Sequence, residues 1–307
     1  MMKMYQSTFN IKAQAPFDFD LSCRIFSNGD KSIKKYANNH FWQAVTVDEV
    51  TLLLYIESAG SVDDPELAVS VESEEELSPD ILKSIPTTVH RIFNLGLDLK
   101  PFYEQVKSDD ILSPITNRLY GLKNPSTPTL FEALVDSILE QQISLIAAHS
   151  IGNRFIKQFG SSVHLYGQDY YSYPSPEDLA HLDLEELRKC GMSSRKAEYI
   201  HDISLDIVHR DLDLEHIRKM SSTTEMIETL TSIRGVGLWT AEMSLLRGLG
   251  RLDAIPADDV GLQRIIGQYY HRDNVSQQDV RDIASSWGKW KGLASYYLIV
   301  AELMKIN

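Results

Sequence analysis

Two adjacent carboxylates, Asp258 and Asp259, stand in the run Pro256-Ala257-Asp258-Asp259-Val260-Gly261-Leu262. A fixed carboxylate can stabilise positive charge that develops in a transition state, or orient an attacking water. At about 4 Å with an effective dielectric near 20, such a pairing is worth roughly 4 kcal/mol, about a thousandfold in rate. An acid ahead of an apolar helical stretch is also an ordinary helix cap, and Asp258 is the nearer candidate for that plain role. One helix and one loop earlier comes Ile233-Arg234-Gly235-Val236-Gly237. Glycine tolerates positive φ and leaves backbone amides uncovered. A helix that follows aims its unpaired N–H groups and the positive end of its dipole beyond the turn. That arrangement suits a phosphate oxygen, and it equally describes a helix corner with a glycine C-cap.

The elements around these residues are helical. Leu238 to Leu249 reads as an apolar helix, with Leu230, Ile233, Val236, Leu238 and Ala241 clasping the two arms of the turn. From about Asp98 onward the chain reads almost entirely as helix. Thr127-Pro128-Thr129 caps a stripe of Leu130, Leu134, Val135 and Ile138, which Gln141-Gln142-Ile143-Ser144 interrupts before Ile146, Ala147, Ile151, Phe155 and Phe159 resume it. Gly191-Met192-Ser193-Ser194-Arg195-Lys196 opens a further apolar helix. Its hydroxyls and cations read either as a capped surface helix or as a second phosphate contact. Trp287, Trp290, Tyr296 and Tyr297 near the end read mainly as core.

The first third differs. Leu21 to Phe26, Phe41 to Val47, Glu49 to Tyr55 and Leu67 to Glu72 are short β-branched and aromatic runs that predict an antiparallel sheet. Ser78-Pro79-Asp80 opens a helix carrying Ile81, Leu82, Ile85, Val89 and Ile92, with Pro86 a possible kink. The expected class is α+β: a sheet-plus-helix domain over residues 1–97 and an all-α region over residues 98–307, in two helical subdomains around a central cleft.

The 307 residues suffice for two or three cores, and the formal net charge of −13 argues against a uniformly basic nucleic-acid binder. Much of that acid, Asp63, Asp64, Glu66, Glu72, Glu74, Glu75, Glu76 and Asp80, is expected on a solvated face. Two cysteines, Cys23 and Cys190, are too few for a disulfide framework or a four-cysteine iron–sulfur cluster. With no membrane-length apolar run and no secretory pattern, the expected location is cytoplasmic or nucleoid-associated, nuclear in a eukaryote.

The hairpin, the Gly237-Leu238-Trp239-Thr240-Ala241 run, Leu246-Arg247-Gly248 and the acidic pair resemble the 3-methyladenine DNA glycosylase II family of the helix-hairpin-helix DNA glycosylase superfamily. Pro16-Phe17-Asp18-Phe19 and Arg91-Ile92-Phe93-Asn94-Leu95 are similar to runs in that family's N-terminal domain. The resemblance covers nearly the whole chain and implies a monomeric enzyme acting on damaged bases in duplex DNA. It implies Asp259 as the catalytic carboxylate and Trp239, Met243 and Ile299 as base-pocket residues. DNA contacts would come from Gln142, Ser144, Arg195, Lys196, Gly235, Gly237 and Thr240, with Gln142 where relatives carry a wedge that enters the duplex. It also implies a structural Na+ or K+ on the backbone carbonyls of Thr231, Ile233 and Val236, with no other cofactor required. Strand-cutting members carry a lysine two residues after the second glycine; here that residue is Trp239. The implied activity is therefore monofunctional hydrolysis of the N-glycosidic bond of alkylated purines, of the 3-methyladenine and 7-methylguanine type. The alternatives are a glycosylase for oxidised or deaminated bases, and a non-catalytic DNA-binding module.

Overall fold

The computed structural model describes residues 4–306. Five strands form one antiparallel sheet: β1 (Tyr5–Lys12), β2 (Lys34–Ala37), β3 (His40–Val47), β4 (Val50–Ser58) and β5 (Glu66–Ser73), in the order β1-β5-β4-β3-β2. The register sets Leu54 opposite Val71 and Ile56 opposite Val69. All four side chains are buried on one face. That face packs on the helix Pro79–Ile92 through Ile81, Ile85, Val89 and Ile92. Ser78 caps this helix by accepting the Ile81 amide, and the helix runs through Pro86 without stopping.

Two sequence expectations change here. Leu21 to Phe26 is not a strand. It lies in a short helix, Phe19–Cys23, and a 3-10 turn, Arg24–Phe26. Asp18 accepts the Leu21 amide at 2.8 Å and so starts a helix where a short stretch of mixed apolar and polar residues leaves the period ambiguous. The region after Asp98 is not wholly helical either. β6 (Ser162–Leu165) and β7 (Gln168–Tyr171) form a hairpin whose Val163, Leu165 and Tyr170 cover Ala44 and Leu53 on the outer face of the sheet. The Tyr166 hydroxyl at its tip meets Glu72, which is buried rather than solvated.

The helices pack around two further cores. One joins Phe102, Leu119 and Leu122 to Ala257, Ile266, Trp287 and Tyr297. The other joins Leu134, Phe155 and Ile200 to Leu230, Val236, Ala241 and Leu245. The glycine turn thus belongs to one core and the acidic loop to the other.

The helix Leu130–Glu140 carries Glu132, Asp136 and Glu140 at successive turns. Arg247 pairs with Glu140 at 2.7 Å, and the Tyr173 hydroxyl donates to Asp136 at 2.8 Å. Burial pushes the Glu132 carboxyl up to about 8, against a smaller lowering by Lys34 of β2. A carboxyl raised on folding contributes stability that is full below its ordinary pKa near 4.5 and is lost as pH rises through about 8. Wild-type melting temperature should therefore fall from pH 5 to pH 9. In Glu132→Gln that part of the fall should vanish, an effect of at most about 5 kcal/mol. Paired melts at the two pH values measure it.

Candidate active site

The helix Thr223–Thr231 ends at Ser232, and the chain turns back at once. The Val236 amide donates to the Ile233 carbonyl at 3.0 Å, closing a turn with Gly235 at φ +90°. A Cβ on Gly235 would lie 2.3 Å from Cγ of Tyr199, so the turn is pressed onto that ring. Arg234 lies over the Tyr199 ring, 5.2 Å from its centroid, and pairs with Glu198 and Asp202 at 2.7 Å each. The only side-chain cation of the turn is therefore spoken for.

Gly237 caps the helix Leu238–Leu249 at φ −85°, and a Cβ there would meet nothing within 4 Å. Its conformation does not require glycine. The amides of Leu238, Trp239 and Thr240 form the first turn of the helix and have no acceptor within it. Thr240 itself is buried, and its hydroxyl accepts from the side chain of Gln141, so its side chain faces inward rather than toward a ligand.

The acidic pair resolves differently from its sequence reading. Asp259, not Asp258, is the N-cap of the helix Val260–Tyr269: its Oδ1 accepts the Leu262 amide at 2.7 Å. The helix begins one residue later than a cap at Asp258 would require, because the Asp259 amide closes a turn onto the Pro256 carbonyl at 3.0 Å. Asp258 is exposed. The second carboxylate oxygen, Oδ2, accepts the Trp239 indole N–H at 3.0 Å. That bond crosses from the helix of the glycine turn to the acidic loop, and nothing local in the chain signals it. With each oxygen holding one donor, each keeps acceptor capacity free.

The loop is fixed from behind. Arg281 grips Glu242 through both guanidinium nitrogens at 3.1 and 3.3 Å, and Glu242 in turn accepts the Ala257 amide. Burial raises the Glu242 carboxyl pKa, and the Arg281 pairing works against that. The Gln263 side chain closes the loop by donating to the Ala257 carbonyl at 3.0 Å. Sequence reasoning missed Glu242 and Arg281, since an ordinary acid and base 39 positions apart carry no local mark.

Met243 lies one helical turn beyond Trp239, and Ile299 lies on the helix Lys291–Leu303; both are half-buried. Gln142 is exposed at φ +56°, and Ser144 caps the helix Leu145–Phe159. Exposed apolar side chains, Ile143, Leu145, Ile146, Leu238 and Val260, flank the Gln142 loop, the glycine turn and Asp259. Arg195 is exposed, but Lys196 is not available to a phosphate. It is 9% exposed, and its ammonium donates inward to the carbonyls of Leu139 and Gln141. Cys23 and Cys190 are buried, free thiols in separate cores.

Two helices joined by a glycine turn, with a carboxylate fixed beside the second of them, define a helix-hairpin-helix base-excision architecture. The description of the HhH-GPD superfamily base excision DNA repair protein matches residues 135–289. A DNA-3-methyladenine glycosylase of Bacillus subtilis is 36% identical over 211 residues, which are 68% of this chain and 69% of that protein. A 3-methyladenine DNA glycosylase from Archaeoglobus fulgidus superposes with a TM-score of 0.84 at 24% identity, over 97% of this chain and 99% of that one. The Schizosaccharomyces pombe 3-methyladenine DNA glycosylase in complex with abasic DNA superposes with a TM-score of 0.57 at 26% identity, over 68% of this chain and 100% of that one. The chain belongs to the HhH-GPD superfamily, and within it to the 3-methyladenine DNA glycosylases, hydrolases of N-glycosyl bonds.

Proposed function

We propose that this protein is a monofunctional glycosylase that flips alkylated purines, 3-methyladenine and 7-methylguanine among them, out of duplex DNA and hydrolyses the bond to the sugar. The Trp239–Asp259 hydrogen bond carries the reading. It fixes a carboxylate, and it fills with an indole the place where strand-cutting relatives need a lysine nucleophile.

An N3- or N7-alkylated purine already carries positive charge, so it leaves with the bonding electron pair and needs no proton donor. Positive charge then develops on the sugar, where the Asp259 carboxylate stabilises it and orients the water that adds to the same carbon. Trp239 holds the carboxylate's orientation and offers a ring face to a cationic base. Met243 and Ile299 complete an apolar pocket. Gln142, at the exposed loop, fills the gap left in the duplex, and Ser144 and Arg195 add contacts beside it.

The hairpin amides at Gly235 to Thr240 grip a phosphate. Because Arg234 is neutralised by Glu198 and Asp202, attraction must come from those amides and from a Na+ or K+ on the carbonyls of Thr231, Ile233 and Val236. Neutral oxygens suit such a hard cation, and the Ile233 oxygen, which already accepts one N–H, has one lone pair left for it. When bound, the cation supplies positive charge toward the DNA backbone in a protein of net charge −13.

Incubation with randomly methylated duplex DNA, followed by chromatography of the freed bases, tests the substrate class. 3-Methyladenine and 7-methylguanine should appear; release of oxidised or deaminated bases alone would overturn the reading. Trp239→Phe keeps the ring and removes the indole N–H. Its single-turnover excision rate should fall roughly tenfold, the worth of one hydrogen bond to a charged group, with duplex affinity unchanged.

A further inference from the structure

The Gln142 loop and the glycine turn are about 94 positions apart in sequence, yet two side chains tie them together. We propose that Gln141 and Lys196 lock the wedge loop to the strand-gripping hairpin as one rigid unit, which makes Gln141 a positioning residue for base flipping. This rests on the reading of Gln142 as the wedge.

The Gln141 side-chain nitrogen donates to the Gly235 carbonyl at 3.0 Å and to the Thr240 hydroxyl at 3.0 Å. Both of its N–H groups are thereby spent on the hairpin: one on the turn, one on the first turn of the following helix. From the opposite side, Lys196 Nζ donates to the Leu139 carbonyl at 2.8 Å and to the Gln141 carbonyl at 2.7 Å. These oxygens lie at the C-terminal end of the helix Leu130–Glu140, where positive charge is favoured. Burial lowers the Lys196 pKa, so the chain carries a costly buried ammonium at this point.

The backbone of Gln142 shows what that ammonium holds. Gln142 sits at φ +56°, a left-handed conformation that is unfavourable for a residue with a side chain. Such a conformation persists only where its surroundings over-determine it. The carbonyl that Lys196 grips belongs to the peptide unit joining Gln141 to Gln142, so fixing that oxygen fixes the plane from which Gln142 φ is measured. The same residue's side chain is fixed to the hairpin. A phosphate bound at the hairpin is therefore held at a set distance from the Gln142 side chain, and the duplex, rather than the loop, must yield.

The test is a double-mutant cycle with the whole chain. Gln141→Met keeps length and volume and donates nothing; Gln142→Ala removes the wedge; Lys196→Met repeats the unlocking from the other side and serves if Gln141→Met folds poorly. Each is read by duplex affinity, by the fluorescence rise of 2-aminopurine beside a single alkylated purine, and by single-turnover excision. Gln141→Met should leave affinity within about twofold while fluorescence rise and excision rate fall roughly tenfold, at a wild-type melting temperature. The double variant should be no slower than Gln142→Ala alone. If Gln142→Ala is impaired but Gln141→Met is normal, or if the two losses multiply, the lock is refuted and the wedge stands. If Gln142→Ala itself flips and excises normally, the wedge reading fails and takes the lock with it.

Discussion

Asp259→Asn should bind methylated duplex as wild type does and release base about a thousandfold more slowly, the rate equivalent of roughly 4 kcal/mol of charge stabilisation. The substitution changes one oxygen for an amide. Asn is as good an N-cap as Asp, and its remaining oxygen can keep the Leu262 amide that Asp259 Oδ1 accepts at 2.7 Å. The melting temperature should therefore barely move. What disappears is the negative charge beside the sugar, together with the partner of the Trp239 indole N–H. Single-turnover kinetics with a saturating excess of enzyme separate the chemical step from binding. A loss confined to affinity, with the rate at saturation intact, would remove Asp259 from the chemistry.

The two glycines of the hairpin should fail in different ways. Gly235→Ala places a methyl 2.3 Å from the Tyr199 ring at a φ of +90°. Left-handed strain and overpacking together should cost roughly 2–4 kcal/mol of stability, and DNA affinity should fall with the displaced turn. Gly237→Ala meets no such obstacle, since its φ is −85° and the space around its Cβ position is open. Its stability should stay within about 0.5 kcal/mol of wild type. Its affinity for duplex should still drop roughly tenfold, because the methyl stands where a phosphate must approach the amides. Denaturant melts and salt-controlled binding of both variants check the contrast. A Gly237→Ala protein with unchanged affinity would mean that no backbone approaches there.

The parts of this site that the sequence revealed are those with local causes. Gly235 announces a turn because few other residues take a φ of +90°, and Gly237 beside it leaves amides bare. Asp259 stands one helix and one loop after them, and its place could be read by resemblance; a capping role was legible for either acid, but not which of the two takes it. The sheet was legible where β3, β4 and β5 are rich in β-branched and aromatic residues. At the β3–β4 turn, however, Glu49 sits at φ +68° with no glycine or asparagine to mark it. Lys196 illustrates the opposite limit. A cation at a helix start reads as a phosphate contact, but the C-terminal end of the Leu130–Glu140 helix points two carbonyls at it and draws it inward. Only tertiary placement decides between those outcomes. The β6–β7 hairpin did leave a trace in the alternation of Val163 and Leu165 before Tyr166-Gly167. Its reason for existing, the apolar outer face at Ala44 and Leu53, lies more than a hundred residues earlier.

The most direct test of hydrolysis by Asp259 without a covalent lysine step is one reaction on an end-labelled duplex carrying a single 7-methylguanine, divided so that one portion is quenched with borohydride and the other, left unreduced, is analysed before and after alkali. Free 7-methylguanine is expected, with an unreduced strand that stays intact until alkali cuts it at the abasic site and no protein trapped on DNA by borohydride. A strand already cut before alkali, with protein trapped on it by borohydride, would contradict it.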